Sequence, residues 1–161
     1  MNTNAPSGKS KPLSDTSQSA QSGPPDPNPF AYTYFLDESI TITSLVDAMR
    51  SAGLDVKVLK EEFGAGALDE NWLPVAISKG WILLTKDDRW RYRQAEKDIL
   101  MNANARAFVF VSKTARAQEI VETVMACLGK MAKIIEREPA PFVAHVLLSQ
   151  HVDVVFPNRS R

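Results

Sequence analysis

The sequence predicts an α/β fold, a mainly parallel sheet covered by helices on both faces, and three observations lead there. Apolar runs of strand length alternate with stretches of helical period from Tyr32 to Phe156. The runs YTYFL, WILLT and AFVFV carry almost no polar residue, as strands buried on both sides require. The stretches between them are long enough to be crossovers, which parallel neighbours need.

Residues 1–29 come before this pattern and are rich in Ser, Pro, Asn, Gln and Gly, with Leu13 the sole large aliphatic after Met1. Such a segment cannot bury enough apolar surface to offset the entropy of ordering it. A disordered tail is therefore expected over 1–29, a folded domain over 30–157 and a short tail over 158–161. Within the domain, residues 32–36 form the first strand. Residues 41–52 place Ile42, Leu45, Val46 and Met49 on one helical face, and Gly53 ends that helix. Residues 55–59 are the second strand, and 60–68, with Gly64 and Gly66, read as a loop. A second helix spans 69–79; Pro74 inside it would belong to the first turn, where a missing N–H is tolerated. Gly80 stops it and 81–85 is the third strand.

Residues 89–102 are a charged and aromatic surface helix, and 107–111 a fourth buried strand. Residues 115–137 make the longest helix, apolar at Ile120, Val121, Val124, Leu128, Met131, Ile134 and Ile135. After Pro139 and Pro141, FVAHVLL and VDVVF suit a hairpin or two edge strands.

Composition narrows the function. Lys plus Arg and Asp plus Glu number 19 each, so no net field draws the chain to nucleic acid and any polyanion must meet a local patch. The single Cys127 excludes an internal disulfide and sits in an apolar helix stretch. With no apolar leader and no run long enough for a bilayer, the expected setting is cytoplasmic, away from the membrane.

Function in an open parallel sheet gathers at the carboxyl ends of the strands. The first strand ends on Asp37 and Glu38, the third runs into Asp87 and Asp88, and the second helix opens at Asp69 and Glu70 on the same rim. Clustered carboxylates repel, and a cation resolves the arrangement. Oxygen donors point to a hard ion, Mg²⁺ or Mn²⁺, and the setting suits phosphodiester hydrolysis. Two His and one Cys do not make a zinc site. Structural readings compete residue by residue: Asp69 as a helix cap, Glu70 as a first-turn acid, Asp87 and Asp88 as turn residues. Beside the acids, KDDRWRYR supplies Lys86, Arg89, Arg91 and Arg93 with Trp90 and Tyr92 between them. Cations suit phosphates and aromatic faces stack on unpaired bases, so RNA is the expected partner; a solvated helix start explains the same composition.

FLDES after the first strand, DENWLPVAISKGW opening the second helix and LLTKD after the third together resemble the PIN-like domains, in particular the branch of VapC-type toxin ribonucleases. The T-x-D of residues 85–87 is the most specific piece. The resemblance implies a three-layer α/β/α sandwich and an Mg²⁺- or Mn²⁺-dependent endoribonuclease. It matches Asp37 to the first acid, Asp69 or Glu70 to the second and Asp87 to the third, with Glu38 and Asp88 tuning the site or binding a second ion. It also implies a toxin whose antitoxin covers the acidic rim, and a tendency to form homodimers. The usual PIN pattern has a fourth acid after the next strand, where this chain has Ser112 and Thr114. Thr85 has two readings, a hydrogen-bond partner of an acid or simply a β-former at a strand end. The missing acid motivates an alternative, a weak or inactive PIN-like module that binds RNA or protein. A receiver domain of the response-regulator kind also carries acids after its first strand, but the Lys that it needs after a late strand is not here.

Overall fold

The computed structural model describes residues 25–89 and 93–157. Most of the expected N-terminal tail, the C-terminal tail and Trp90, Arg91 and Tyr92 lie outside the described residues. After a 3₁₀ turn at Pro29–Ala31 the chain runs β1 (Thr33–Leu36), α1 (Thr43–Ser51), β2 (Asp55–Val58), α2 (Leu59–Phe63), α3 (Asp69–Ser78) and β3 (Ile82–Thr85). It continues through α4 (Gln94–Asn102), β4 (Arg106–Val111), α5 (Ala117–Arg137), β5 (Phe142–Leu147) and β6 (Val152–Phe156). One six-stranded sheet has the order β2-β1-β3-β4-β5-β6. All neighbours are parallel except β5 and β6, an antiparallel pair that forms the hairpin at one edge.

The alternation of side chains along each strand divides the core in two. Tyr34, Leu36, Ile82, Leu84, Phe108 and Phe110 face α1 and α5, where Leu45, Met49, Val124 and Met131 meet them. Phe35, Leu83, Ala107 and Val109 face the other way, onto Trp72, Leu73 and Ile77 of α3 and Leu100 of α4. Three layers result, with the sheet between two helical layers, as the sequence predicts. Gly53 and Gly80 follow α1 and α3 with φ of 96° and 75°, left-handed values that suit glycine and let the chain reverse into the next strand.

Three local expectations are corrected. Residues 59–63, placed by sequence in the end of a strand and a loop, are helical: LKEEF is made of helix formers, Leu59 is buried, and the Phe63 ring meets Phe35 edge-on at 5.8 Å. Pro74 stands sixth in α3, past the first turn. Trp72, Leu73, Ala76 and Ile77, buried on either side of it, hold the helix against the sheet, and the carbonyl that loses its partner belongs to exposed Glu70. The helix expected from residue 89 begins at Gln94.

The strand order fixes where the site lies. From β1 the chain goes to β2 on one side, then crosses back to place β3 on the other. That reversal makes the β1/β3 seam a topological switch point, and the crevice outside its carboxyl end is the favoured ligand site of such sheets.

Candidate active site

Asp37 is the first residue after β1, and its N–H still donates to the Leu84 carbonyl of β3 at 3.3 Å, so the two strand ends are bound together where the site begins. Its carboxylate is held on both oxygens. The Ser39 hydroxyl and its backbone N–H donate to Oδ1, the latter at 3.0 Å, and the Thr85 hydroxyl donates to Oδ2. Thr85 Oγ1 also accepts the Asp87 backbone N–H at 3.0 Å. One side chain at the end of β3 thus fixes the Asp37 carboxylate and the backbone of Asp87, which gives the T-x-D spacing its physical meaning. The Lys86 N–H donates to Ser39 Oγ at 2.8 Å and closes the same knot from the other strand.

Electrostatics distinguish the two aspartates. Burial pushes the Asp37 carboxyl above the usual aspartate range, the Ser39 and Thr85 donors pull it partly back, and the nearby Asp87 charge raises it again. Asp87 is held below its ordinary range, chiefly by the Arg89 side chain.

Asp69 comes from α3, whose N-cap is Leu68, so Asp69 is the first helical residue and not the cap. It accepts a hydrogen bond from the Trp72 indole Nε1 at 3.1 Å. Trp72 is only 5% exposed and lies against Phe35 of β1, ring centroids 5.1 Å apart, so the aromatic contact that docks α3 on the sheet also orients its acid.

Asp37, Asp69 and Asp87 line one cavity of about 60 Å³, together with Thr85 and with Glu96 of α4. Its floor is apolar: Phe35, Trp72, Leu83, Leu100 and Val109 are among its walls. It has room for a few waters under a rim of carboxylates. Glu96 was not foreseen. Its signal in the sequence is its place four residues before buried Leu100, which puts an acid on the sheet-facing side of the helix.

The sequence places acids in pairs, and the structure turns only one of each pair inward. Glu38 is exposed and accepts the Gly66 N–H at 2.9 Å, away from the cavity wall. Glu70 is exposed on α3, and Asp88 does not line the cavity. Adjacent residues in a helix differ by about 100° in direction, so packing Trp72 and Leu73 on the sheet selects Asp69 over Glu70. Ser112, where a fourth acid was looked for, accepts the N–H groups of Thr114 at 3.3 Å and Ala115 at 3.0 Å and so serves its own loop.

Two of the arginines expected on RNA, Arg89 and Arg93, are engaged with acids here. Arg89 donates from Nε to both Asp87 oxygens at 2.8 Å and from Nη2 to Oδ2. Arg93 Nη1 donates to Glu96 Oε1 at 2.9 Å. Trp90 and Arg91 of the same expected patch fall outside the described residues.

The donor set, four carboxylates with the Thr85 and Ser39 hydroxyls at hand, suits a hard divalent cation. Among the described residues no three His, Cys, Asp or Glu side chains stand close enough to hold one ion together. The acids share a cavity wall without forming a closed coordination shell, each drawn to its own hydrogen-bond partner.

In a doubly wound α/β domain the acids gathered at the switch point mark a candidate ligand site outside the carboxyl ends of β1 and β3. The family follows from comparison: residues 33–112 match the PIN like domain, and the chain belongs to that family. The matched stretch starts at β1 and ends just past β4, taking in Asp37, Asp69, Asp87 and Glu96. PIN-like domains are generally a nuclease fold and typically metal-dependent. The match does not single out the VapC-type branch. No curated protein and no solved structure matches the chain. No helix among the described residues is long and apolar enough to cross a membrane.

Proposed function

We propose that this protein is an endoribonuclease of the PIN-like class that hydrolyses RNA phosphodiesters with Mg²⁺ or Mn²⁺. The observation that carries the reading is Thr85 tying Asp37 to Asp87 at the β1/β3 seam, with Asp69 and Glu96 on the same cavity wall. Asp37, Asp69, Asp87 and Glu96 are the acids on the cavity wall that would have to draw together to hold the ion, and Glu38, Glu70 and Asp88 contribute charge to the rim. When bound, a hard cation supplies acidification of water and neutralisation of phosphate charge. The chain supplies the rest. Thr85 and Ser39 keep Asp37 in one orientation, the apolar floor limits bulk water, and Lys86 and the arginines of the β3–α4 connection attract the RNA backbone.

In this reading the protein acts in the cytoplasm as the toxin of a toxin–antitoxin pair. The acidic rim favours an antitoxin that presents a basic side chain to it, and a homodimer is compatible with half-buried β6, an edge strand of the sheet among the described residues. A second reading, a weak or inactive interaction module, is favoured by two observations: Asp87 and Glu96 are already paired with arginines, and no three acids among the described residues stand close enough to hold one ion.

Cleavage of a labelled unstructured RNA with Mn²⁺, with Mg²⁺ and with EDTA tests the proposal, alongside Asp37→Asn and Asp87→Asn. Metal-dependent cutting that both substitutions abolish supports it. Absence of cutting, with metal binding also absent by calorimetry, favours the module.

A further inference from the structure

We infer that Glu38 is a positioning residue, which fastens the 64–68 loop to the end of β1 and so sets where α3 presents Asp69. The acid pair after β1 works in two directions. Asp37 turns to β3, where the Thr85 hydroxyl holds it, and Glu38 turns to the loop before α3, where its Oε1 accepts the Gly66 N–H at 2.9 Å. Thr85 thus joins β1 to β3 and Glu38 joins β1 to α3. The elements that bring Asp37, Asp87 and Asp69 to the cavity are cross-linked at one strand end.

The loop needs such a tie. Before it, the Phe63 ring meets Phe35 edge-on; beyond it, Trp72 packs on the same Phe35 ring. Between these anchors Gly64 and Gly66 have φ of 88° and 75°, which other residues rarely adopt, and glycine has the most conformational freedom to lose. The first turn of α3 has no remedy of its own, since its N-cap, exposed Leu68, makes no side-chain bond to the helix N–H groups. Half-buried Ala67 adds a small apolar contact. The directional restraint is the hydrogen bond to Glu38, strengthened by the charge on its acceptor. Asp69 opens the turn, and it accepts the Trp72 indole N–H, so a shift of the turn is felt at that bond. That Asp69 serves catalysis rests on the reading above; that Glu38 holds its turn does not.

The test compares the full chain as wild type, Glu38→Ala and Glu38→Gln; glutamine drops the charge and keeps an acceptor oxygen. Hydrogen exchange of the amides of residues 65–70 is expected to quicken on the order of five-fold in Glu38→Ala and by less in Glu38→Gln. The Trp72 indole N–H resonance, assigned by its loss in Trp72→Phe, is expected to move in Glu38→Ala and to return toward its wild-type position in Glu38→Gln. Unchanged exchange in Glu38→Ala overturns the tie, and an unmoved indole resonance overturns its reach to Asp69. A glutamine variant equal to the alanine variant in both overturns the acceptor role and leaves Glu38 only its charge. In the RNA cleavage assay Glu38→Ala is expected to lower kcat on the order of ten-fold with KM near wild type, and an unchanged kcat overturns the link to catalysis. RNA left uncut by the wild type refutes the nuclease reading alone, because exchange and the indole resonance judge the tie without metal or RNA.

Discussion

Replacing Thr85 by valine removes one hydroxyl from the centre of the site and keeps the shape of the strand. Valine fits β3 at least as well as threonine. The lost groups are the donor to Asp37 Oδ2 and the acceptor of the Asp87 N–H. A hydrogen bond to a charged acceptor contributes about 1.5–3 kcal/mol. The Asp87 N–H is part-buried, and pairing with water in the variant keeps its added cost small. Against this, a half-buried methyl in place of the hydroxyl returns less than about 0.8 kcal/mol. The net expectation is a destabilisation of about 1–2 kcal/mol at neutral pH, read from urea denaturation. The bond is strongest to ionised Asp37, so the deficit shrinks as pH falls and that carboxyl protonates. The same substitution frees the carboxylate to rotate and lowers Mn²⁺ affinity on the order of ten-fold. Thr85→Ser keeps the hydroxyl and is the control. If Thr85→Val matches wild type in stability and Mn²⁺ affinity, Thr85 does not organise the site.

Other expectations follow from the same geometry. Because burial raises the Asp37 pKa, its ionised form destabilises the fold at pH values above that pKa, and this penalty disappears as pH falls toward the ordinary aspartate range. Asp37→Asn should therefore be more stable than wild type at pH 7 while losing metal-dependent cleavage; a less stable variant counts against the assignment. Asp87 has the opposite sign: its depressed pKa contributes stability above the ordinary aspartate pKa that is lost as pH falls through the folded value, so Asp87→Asn should flatten the acid limb of the stability profile. Glu96→Gln is expected to weaken Mn²⁺ binding on the order of ten-fold, with Glu70→Gln and Asp88→Asn near wild type, since ligand charge sets affinity; calorimetry on the three decides whether Glu96 belongs to the site. Trp72→Phe keeps the ring against Phe35 and removes the N–H on Asp69, costing about 1 kcal/mol of stability and part of the metal affinity. An unchanged Mn²⁺ Kd there means that Asp69 needs no orienting donor.

The sequence by itself determined the layers and the rim. The near-unbroken apolar character of YTYFL, WILLT and AFVFV is a local record of burial on both faces, so these strands were legible to within a residue or so of their observed ends. Asp37, Thr85 and Asp87 were legible as strand-end residues for the same reason, and the switch-point rule placed them at one edge. The tertiary structure decided what depends on distant partners. Placing β1 beside β3 lets Thr85 reach Asp37, 48 positions away in the chain. The rotation of α3, set by Trp72 and Leu73 against the sheet, turns Asp69 inward and leaves Glu70 in solvent. The packing of α4 through buried Leu100 brings Glu96 to the cavity, where the sequence had directed attention to Ser112 and Thr114. Arg89 and Arg93 read as a phosphate patch in sequence and as partners of the site acids in space. Composition records that a charge is present, while its partner is chosen by which surfaces the core brings together.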